Sequence, residues 1–180
     1  MRNIIEYTLV SLDGVCAGSA ISSFAKFRDD EAYTQDGLDQ ALACGALLMG
    51  RTTYEDFVKI WPRRTDPWAN RINAMPKYVF SSKLEKADWN NTTIVQGDVV
   101  AEVTKLKQQE GQDLLIYGSG LLTETLLQHQ LLNTFDLVVF PLVLGQGKRL
   151  FHEGETADLK FIATKNFSKG LVKLTYAPQY

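Results

Sequence analysis

The stretch Asp113–Gln130, which reads DLLIYGSGLLTETLLQHQ, decides the fold. Its first part, Leu114–Tyr117, is an apolar run without polar alternation, which is typical of a strand buried on both faces. Three small residues follow, and apolar residues then recur at helical spacing from Leu121 to Leu126. The stretch therefore predicts a strand, a glycine turn and a helix.

The junction between this strand and this helix suits a phosphate group. The first turn of a helix leaves N–H groups unpaired, and the aligned peptide dipoles place partial positive charge there. Glycines let the backbone approach a ligand closely. The G-x-G-x-x-G fingerprint is incomplete, because Leu121, Leu122 and Thr123 follow Gly120. A plain strand-to-helix turn is the alternative for this stretch taken alone.

Length and composition narrow the class of protein. The 180 residues fit one domain, 1–180, with a substantial core. A net charge of −2 gives no general electrostatic reason to expect nucleic-acid binding. The N-terminus is too polar for a signal peptide, and no apolar stretch approaches the ~18 residues of a membrane helix. Cys16 and Cys44 lack the spacing of a zinc site or a disulfide framework. We expect a cytoplasmic protein without a metal, a membrane or a nucleic-acid partner.

The rest of the chain alternates predicted strands with predicted helices. One helix is predicted over Asp29–Cys44, with Gly45 placed to end it, and another follows Gly50, with Thr52 or Thr53 as its cap. Further strands are predicted at Asn3–Val10, Ala46–Met49, Lys77–Phe80, Thr92–Gln96 and Phe135–Phe140, and a closing hairpin at Lys160–Ser168 and Leu171–Tyr176.

This alternation predicts an α/β fold in which a mostly parallel central sheet is covered on both faces, with an antiparallel C-terminal hairpin. In such sheets, ligands lie outside the carboxyl ends of the strands. Loops that can open on that side follow Val10, Met49, Phe80, Gln96 and Tyr117. The sequence therefore predicts a binding cleft built from several strand ends.

Five segments together resemble a known family. LLMGRTTYE (47–55), YVFSS (78–82) and LLIYGSGLLTETLL (114–127) resemble, in this order, the dihydrofolate reductase fold. SLDG (11–14) and PLVLGQGKRLF (141–151) resemble more closely the reductase domain of riboflavin biosynthesis and the bacterial proteins grouped with it. The resemblance implies a dihydrofolate reductase-like three-layer sandwich and a homodimer. It also implies NADPH-dependent hydride transfer to a small heterocycle, either pterin-like or aminopyrimidine-like.

The resemblance also implies roles for individual residues. The GRTTYE-like turn binds the adenosine end of NADPH, with its arginine at the 2′-phosphate, and the serines after the next strand line the adenine ribose site. The glycine turn takes the pyrophosphate, the loop after the first strand closes over the nicotinamide, and one tyrosine faces the nicotinamide and the substrate. In that order the residues are Gly50, Arg51, Thr52 and Thr53; Ser81 and Ser82; Gly118, Ser119, Gly120, Leu121 and Leu122; Leu12, Asp13 and Gly14; and Tyr117.

The source of the proton stays open at the level of the sequence. Folate-reducing members carry an acid on the helix before the GR motif, and the acids of that region here match no such motif. They are Asp29, Asp30, Glu31 and Asp36. Asp13 is the catalytic candidate, with a residue of the Asp29–Asp36 helix or water as alternatives. A nicotinamide-nucleotide-binding module without turnover, such as a sensor, is the alternative function.

Overall fold

Within residues 1–16, 18 and 21–180, which the computed structural model describes, eight strands form one mixed sheet. Across the sheet the order is β4-β3-β2-β5-β1-β6-β8-β7. Neighbours from β4 to β6 are parallel, whereas β8 is antiparallel to both β6 and β7. The predicted parallel sheet with an antiparallel C-terminal hairpin is confirmed. The strands are β1 (Ile4–Ser11), β2 (Cys44–Gly50), β3 (Lys77–Phe80), β4 (Thr92–Val95), β5 (Asp113–Tyr117), β6 (Thr134–Phe140), β7 (Leu159–Asn166) and β8 (Val172–Pro178).

Helices cover both faces of the sheet. The helices are α1 (Ile21–Phe24), α2 (Glu31–Ala43), α3 (Arg51–Phe57), α4 (Pro67–Ala74), α5 (Val99–Gln108) and α6 (Leu121–Gln128), with short 3₁₀ helices at Ala25–Phe27, Trp61–Arg63 and Ser168–Gly170. An aromatic-rich core lies on the face of α2 and α4, and an aliphatic core lies on the face of α5 and α6. This arrangement is the expected three-layer sandwich. Among the described helices, none combines the length and the apolar run that crossing a membrane requires.

The decisive stretch folds as its pattern predicts. Leu114, Leu115 and Ile116 are almost fully buried, because β5 lies between β2 and β1 with a core on each face. The chain then passes through the glycine turn into α6. A strand covered on both faces needs no polar alternation, which explains the continuous apolar run.

Two local predictions are wrong. Gly45 does not end α2, because the helix passes directly into β2 at Cys44 and Gly45 lies at an irregularity in the pairing of β2 with β5. A side chain at Gly45 would approach the Arg2 guanidinium to 3.0 Å, so the glycine provides room for an arginine. Thr52 and Thr53 do not cap α3, since the residue at its N-cap is Gly50.

A buried lysine forms hydrogen bonds with backbone carbonyl groups at the C-terminal end of α4. The Lys77 ammonium is inaccessible to solvent and donates hydrogen bonds to the carbonyl oxygens of Asn73, Met75 and Asn90 at 2.9, 2.8 and 3.0 Å. It also lies 4.7 Å from the ring centre of Trp89. The last carbonyl groups of a helix have no partners within the helix. Lys77 therefore satisfies backbone acceptors that burial would otherwise leave unpaired.

We predict that Lys77→Met, which keeps the length of the side chain, lowers the free energy of unfolding by ~1–3 kcal/mol, because buried carbonyl groups lose their donor. Urea denaturation followed by circular dichroism measures the change. The matched control is Lys83→Met at an exposed lysine, which should stay within about 0.5 kcal/mol of the native protein. Equal unfolding midpoints and slopes for Lys77→Met and the control would contradict this role.

Candidate functional site

The predicted site residues lie at one edge of the sheet. Tyr7 of β1 is opposite Tyr117 of β5, and Gly50 of β2 is opposite Phe80 of β3. The four strands are adjacent and parallel, so their carboxyl ends meet at the same edge. The Gly118 amide donates to the Tyr7 carbonyl at 3.1 Å and fixes the start of the turn. The structure therefore brings the four predicted segments together at the ends of β3, β2, β5 and β1.

The two glycines of the turn serve different purposes. Gly118 has a φ of +76°, a region that non-glycine residues rarely adopt. Apart from its chain neighbours, no atom of the described residues lies within 4 Å of where its Cβ would be. Gly120 has extended backbone, and a Cβ there would lie 2.8 Å from the Lys148 Nζ. Gly118 thus permits the backbone path and leaves open space beside it, while Gly120 makes room for a lysine.

That lysine comes from the loop after β6. Lys148 Nζ donates to the Ser119 carbonyl at 3.1 Å and is exposed to solvent on its other side. The N-cap of α6 is Gly120, so no side chain occupies the first-turn N–H groups of Leu121 and Leu122. A cation and free amide donors therefore meet at the turn, which is the chemistry of a phosphate site.

The SLDG loop is joined to the loop after β6 by backbone hydrogen bonds. The Leu12 amide donates to the Leu142 carbonyl and the Leu150 amide donates to the Gly14 carbonyl, at 2.8 and 2.9 Å. Gly14 has a φ of +81°, which the turn requires. Asp13, between them, is the centre of this junction. The two loops therefore form one unit beside the glycine turn.

Asp13 holds the two loops together. Its carboxylate accepts hydrogen bonds from the Ser11 hydroxyl at 2.6 Å and from the amides of Leu144 and Gly145 at 3.1 and 2.8 Å. The Arg149 guanidinium donates to its carbonyl oxygen. The Ser11 and backbone donors lower the pKa of Asp13 to about 2. At neutral pH this carboxylate is ionised and its oxygens are engaged, so the geometry favours a structural role over proton donation.

Three of the four acids of the α2 region also have structural partners. Asp29 pairs with Lys169 at 2.5 Å, and Asp30 caps α2 and accepts from the Ser168 hydroxyl at 2.5 Å. Asp36 pairs with two lysines of the C-terminal hairpin, Lys165 and Lys173, at 2.8 and 2.7 Å. These three carboxylates attach α2 to the hairpin. Glu31 is exposed.

The predicted adenosine-binding residues are accessible. Arg51 is about two-fifths exposed and pairs with Glu55 one turn along α3, at 2.7 Å. Thr52 and Ser82 are exposed, and Thr53 is half-buried. The Ser81 hydroxyl oxygen accepts from the amides two and three residues further on, which leaves its own proton free to donate. Binding of a nucleotide by these residues stays a prediction.

Tyr117 lies in a buried aromatic cluster, which we define as Tyr7, Phe57, Trp61, Trp68 and Tyr117. Its hydroxyl accepts a hydrogen bond from the Trp68 indole at 2.8 Å, and its ring stacks on Trp61 with centres 6.0 Å apart and planes at 15°. Tyr7 packs edge-on against both Trp68 and Tyr117. The predicted contact between Tyr117 and a nicotinamide stays a prediction, and it requires the cluster to open.

Three residues of the loop after β6 lie near the predicted site, although the sequence did not single them out. Lys148 and Arg149 contact the glycine turn and the SLDG loop, as described above, and Val143 is 73% exposed. Leu12 and Leu121 are also exposed, at 70% and 76%. Leu12 and Val143 lie on the two loops that are joined beside the glycine turn, and Leu121 begins α6 at that turn. The KR pair at 148–149, which follows Gly145 and Gly147, was the sequence feature that could have indicated an anion site in this loop.

A depression lies between α2 and the start of α4. It has a volume of about 470 Å³, and its walls include Arg28, Thr34, Leu38 and Trp68. Trp68 separates this cleft from Tyr7 and Tyr117.

Among the described residues, no group of three or more histidines, cysteines or acids is arranged to hold a metal ion.

Comparison with known proteins agrees with this architecture. The chain is 30% identical to the uncharacterized protein YyaP of Bacillus subtilis (strain 168), over 97% of this chain and 94% of YyaP. Its fold is similar to that of a putative riboflavin biosynthesis protein from Shewanella sp. PV-4, with a TM-score of 0.77, 20% identity and full coverage of both chains.

A third protein, which has a similar fold, is named for two activities. It is a diaminohydroxyphosphoribosylaminopyrimidine deaminase/5-amino-6-(5-phosphoribosylamino)uracil reductase from Thermotoga maritima, with a TM-score of 0.64 and 12% identity. The match covers 99% of this chain and 57% of that protein. The two solved structures show the fold that the resemblance implied, that of dihydrofolate reductase. The RibD C-terminal domain family matches residues 2–173, and the chain therefore belongs to that family.

Proposed function

We propose that this protein is an NADPH-dependent reductase that transfers a hydride to a small pterin-like or aminopyrimidine-like heterocycle. The observation that carries the proposal is the meeting of four ligand-suited segments at the carboxyl ends of four adjacent parallel strands. These strands are spaced at about 4.8 Å, so the segments form an extended track suited to a dinucleotide. Membership of the RibD C-terminal domain family supports the same chemistry.

Two cationic side chains determine which end of the dinucleotide would lie at which strand. Arg51 lies at the end of β2 and would bind the 2′-phosphate, while Lys148 lies at the glycine turn and would bind the pyrophosphate. The open space beside Gly118 and the uncapped N–H groups of α6 suit the close approach of an anion. The exposed side chains of Leu12 and Val143 would then cover the nicotinamide ring and exclude water.

NADPH, when bound, supplies the hydride, and the protein's task is to orient the two rings and exclude water. A proton must also reach the substrate. Asp13, Asp29 and Asp30 are poor proton donors at neutral pH, because each has a lowered pKa. Hydrogen bonds lower the pKa of Asp13 and Asp29. Burial raises the pKa of Asp30, but its hydrogen bonds lower it by more. Asp36 is paired with two lysines. With these four carboxylates engaged, we assign proton delivery to water, which can reach the substrate through the cleft beside the exposed Glu31.

The cleft between α2 and α4 is the proposed entrance for the substrate. Its wall contains Trp68, whose indole is hydrogen-bonded to Tyr117 at the end of β5. A flat heterocycle that displaced this indole would stack among the rings of the aromatic cluster and approach the glycine turn. The Thermotoga protein is named as the reductase of an aminouracil. This name favours a pyrimidine over a pterin as the substrate of the present protein.

One observation favours the alternative, a module that binds a nicotinamide nucleotide without turnover. The aromatic cluster is closed: Tyr117 is only 4% exposed, and its hydroxyl is already hydrogen-bonded. Binding at the track needs only the exposed loops, whereas turnover also needs this cluster to open. Substrate-dependent oxidation of NADPH therefore separates the two functions.

We predict that NADPH is oxidised in the presence of 5-amino-6-(5-phosphoribosylamino)uracil at ~1 per second or faster, while dihydrofolate is reduced poorly or not at all. The loss of NADPH absorbance measures both rates. Tight NADPH binding without turnover across pyrimidines and pterins would favour the module. Absence of binding to either nicotinamide nucleotide would contradict both functions.

A second prediction concerns the choice of nucleotide. A charge-assisted hydrogen bond from Arg51 to the 2′-phosphate contributes roughly 1.5–3 kcal/mol, which corresponds to an about 10- to 150-fold preference for NADPH over NADH. Arg51→Ala should lose most of this preference by weakening NADPH while leaving NADH nearly unchanged. Dissociation constants from calorimetry measure both affinities.

Glu55→Gln is the matched control for Arg51→Ala. It removes the negative charge that holds Arg51 along α3 and so makes the arginine more available to the phosphate. NADPH should then bind at least as tightly as in the native protein. Raised salt should narrow the preference for NADPH, because the site is exposed. Equal weakening of NADPH and NADH by Arg51→Ala would mean that Arg51 does not bind the 2′-phosphate.

A further inference from the structure

A carboxyl group lies in the centre of the sheet, and no cation among the described residues pairs with it. Glu6, in the middle of β1, has no exposed surface. Its Oε1 accepts a hydrogen bond from the Thr8 hydroxyl at 2.7 Å, and its Oε2 has no hydrogen-bond partner among the described residues. Buried carboxyl groups are normally paired or fully hydrogen-bonded. This group therefore calls for a physical explanation.

Glu6 lies directly beneath the glycine turn. It pairs with Ile116 in β5, two residues before Gly118. The hydroxyl groups of Ser119 and Thr123, in the turn and the first turn of α6, lie beside its carboxyl group. Thr123 Oγ1 is itself buried and without a partner among the residues described. Two unpartnered polar atoms thus lie under the backbone that would hold the pyrophosphate.

The charged and titratable groups around Glu6 do not favour a carboxylate. Glu155, from the loop after β6, opposes its ionisation, and Cys16 is kept neutral by burial, which raises the pKa of its thiol to about 12. Lys148 is directed to the exposed side of the turn, at the Ser119 carbonyl. Burial raises the pKa of Glu6 to about 7, although the three neighbouring hydroxyl groups lower it.

We propose that Glu6 is a positioning residue of the cofactor site, a buried carboxyl group whose protonated, neutral form is the one that binds a dinucleotide at the glycine turn. The inference rests on the proposed function, since it assigns the pyrophosphate to that turn. A proton on the carboxyl group removes the charge from Oε2, a buried oxygen that has no hydrogen-bond partner among the described residues. It also removes a negative charge from beneath the phosphates, where the low dielectric would make the repulsion strong.

The sign of the coupling follows from linkage. The bound phosphates favour the protonated form of Glu6, so binding raises its pKa above that of the free protein. Affinity is therefore full below about pH 7 and falls as the pH rises through that value. With complete coupling, the dissociation constant should rise ~10- to 30-fold between about pH 6 and about pH 8.5. A permanently neutral amide at this position should abolish the rise.

Isothermal titration calorimetry with NADH tests the proposal, because NADH lacks the 2′-phosphate, whose own pKa near 6 would obscure the result. Native protein should show the ~10- to 30-fold weakening, and Glu6→Gln should bind at about pH 8.5 as tightly as at about pH 6. Glu153→Gln, at an exposed glutamate in the loop after β6, is the matched control and should behave as native. Circular dichroism establishes that each variant is folded.

A measurement on the native protein alone covers the case in which Glu6→Gln does not fold. Titration at about pH 7.5 in buffers of different ionisation enthalpy should give an uptake of between roughly half a proton and one proton per NADH bound. Binding without proton uptake, or equal pH dependence in native and Glu6→Gln proteins, would overturn the role of Glu6 while leaving the proposed function intact. Absence of binding at every pH would overturn both.

Discussion

The parallel pairing of β1 with β5 is the constraint on which the rest of this structure depends. It places β1 between β5 and β6, with a core on each face, and it brings the loop after Ser11 beside the turn after Tyr117. The same register puts Glu6 beneath that turn. The ligand-suited segments come from four separated regions of the chain, and only the parallel order of the sheet brings their ends to one edge.

Charges near the site are divided between those that hold the fold and those that face solvent. Asp13 joins two loops, and Asp36 attaches α2 to the C-terminal hairpin through two lysines. Arg51 and Lys148 have only weak or backbone partners and remain accessible, which is what anion binding requires. The carboxylates of Asp13, Asp29, Asp30 and Asp36 are engaged in structure, which is why the proposed chemistry relies on NADPH and water.

The strands and the meeting of the predicted segments at one end of the sheet were predictable from the sequence, because β5 and its glycine turn combine an unbroken apolar run with residues that end strands. The end of α2 was not predictable, because Gly45 makes room for the Arg2 guanidinium and Arg2 is distant in the sequence. Nor was Lys148, whose contact with Ser119 depends on how two loops fold together. Glu6 stood within a strand pattern and gave no local sign of its burial. Long-range contacts of this kind leave no periodic signal in a sequence.

The central claim is that one dinucleotide binds along the carboxyl ends of β3, β2, β5 and β1. Hydrogen–deuterium exchange with and without saturating NADPH tests it most directly, because it locates binding without assuming turnover. The account predicts slower amide exchange in segments 11–14, 50–53, 81–82 and 118–122, and unchanged exchange in the hairpin of β7 and β8. Protection confined to the cleft between α2 and α4, or no protection of segment 118–122, would contradict it.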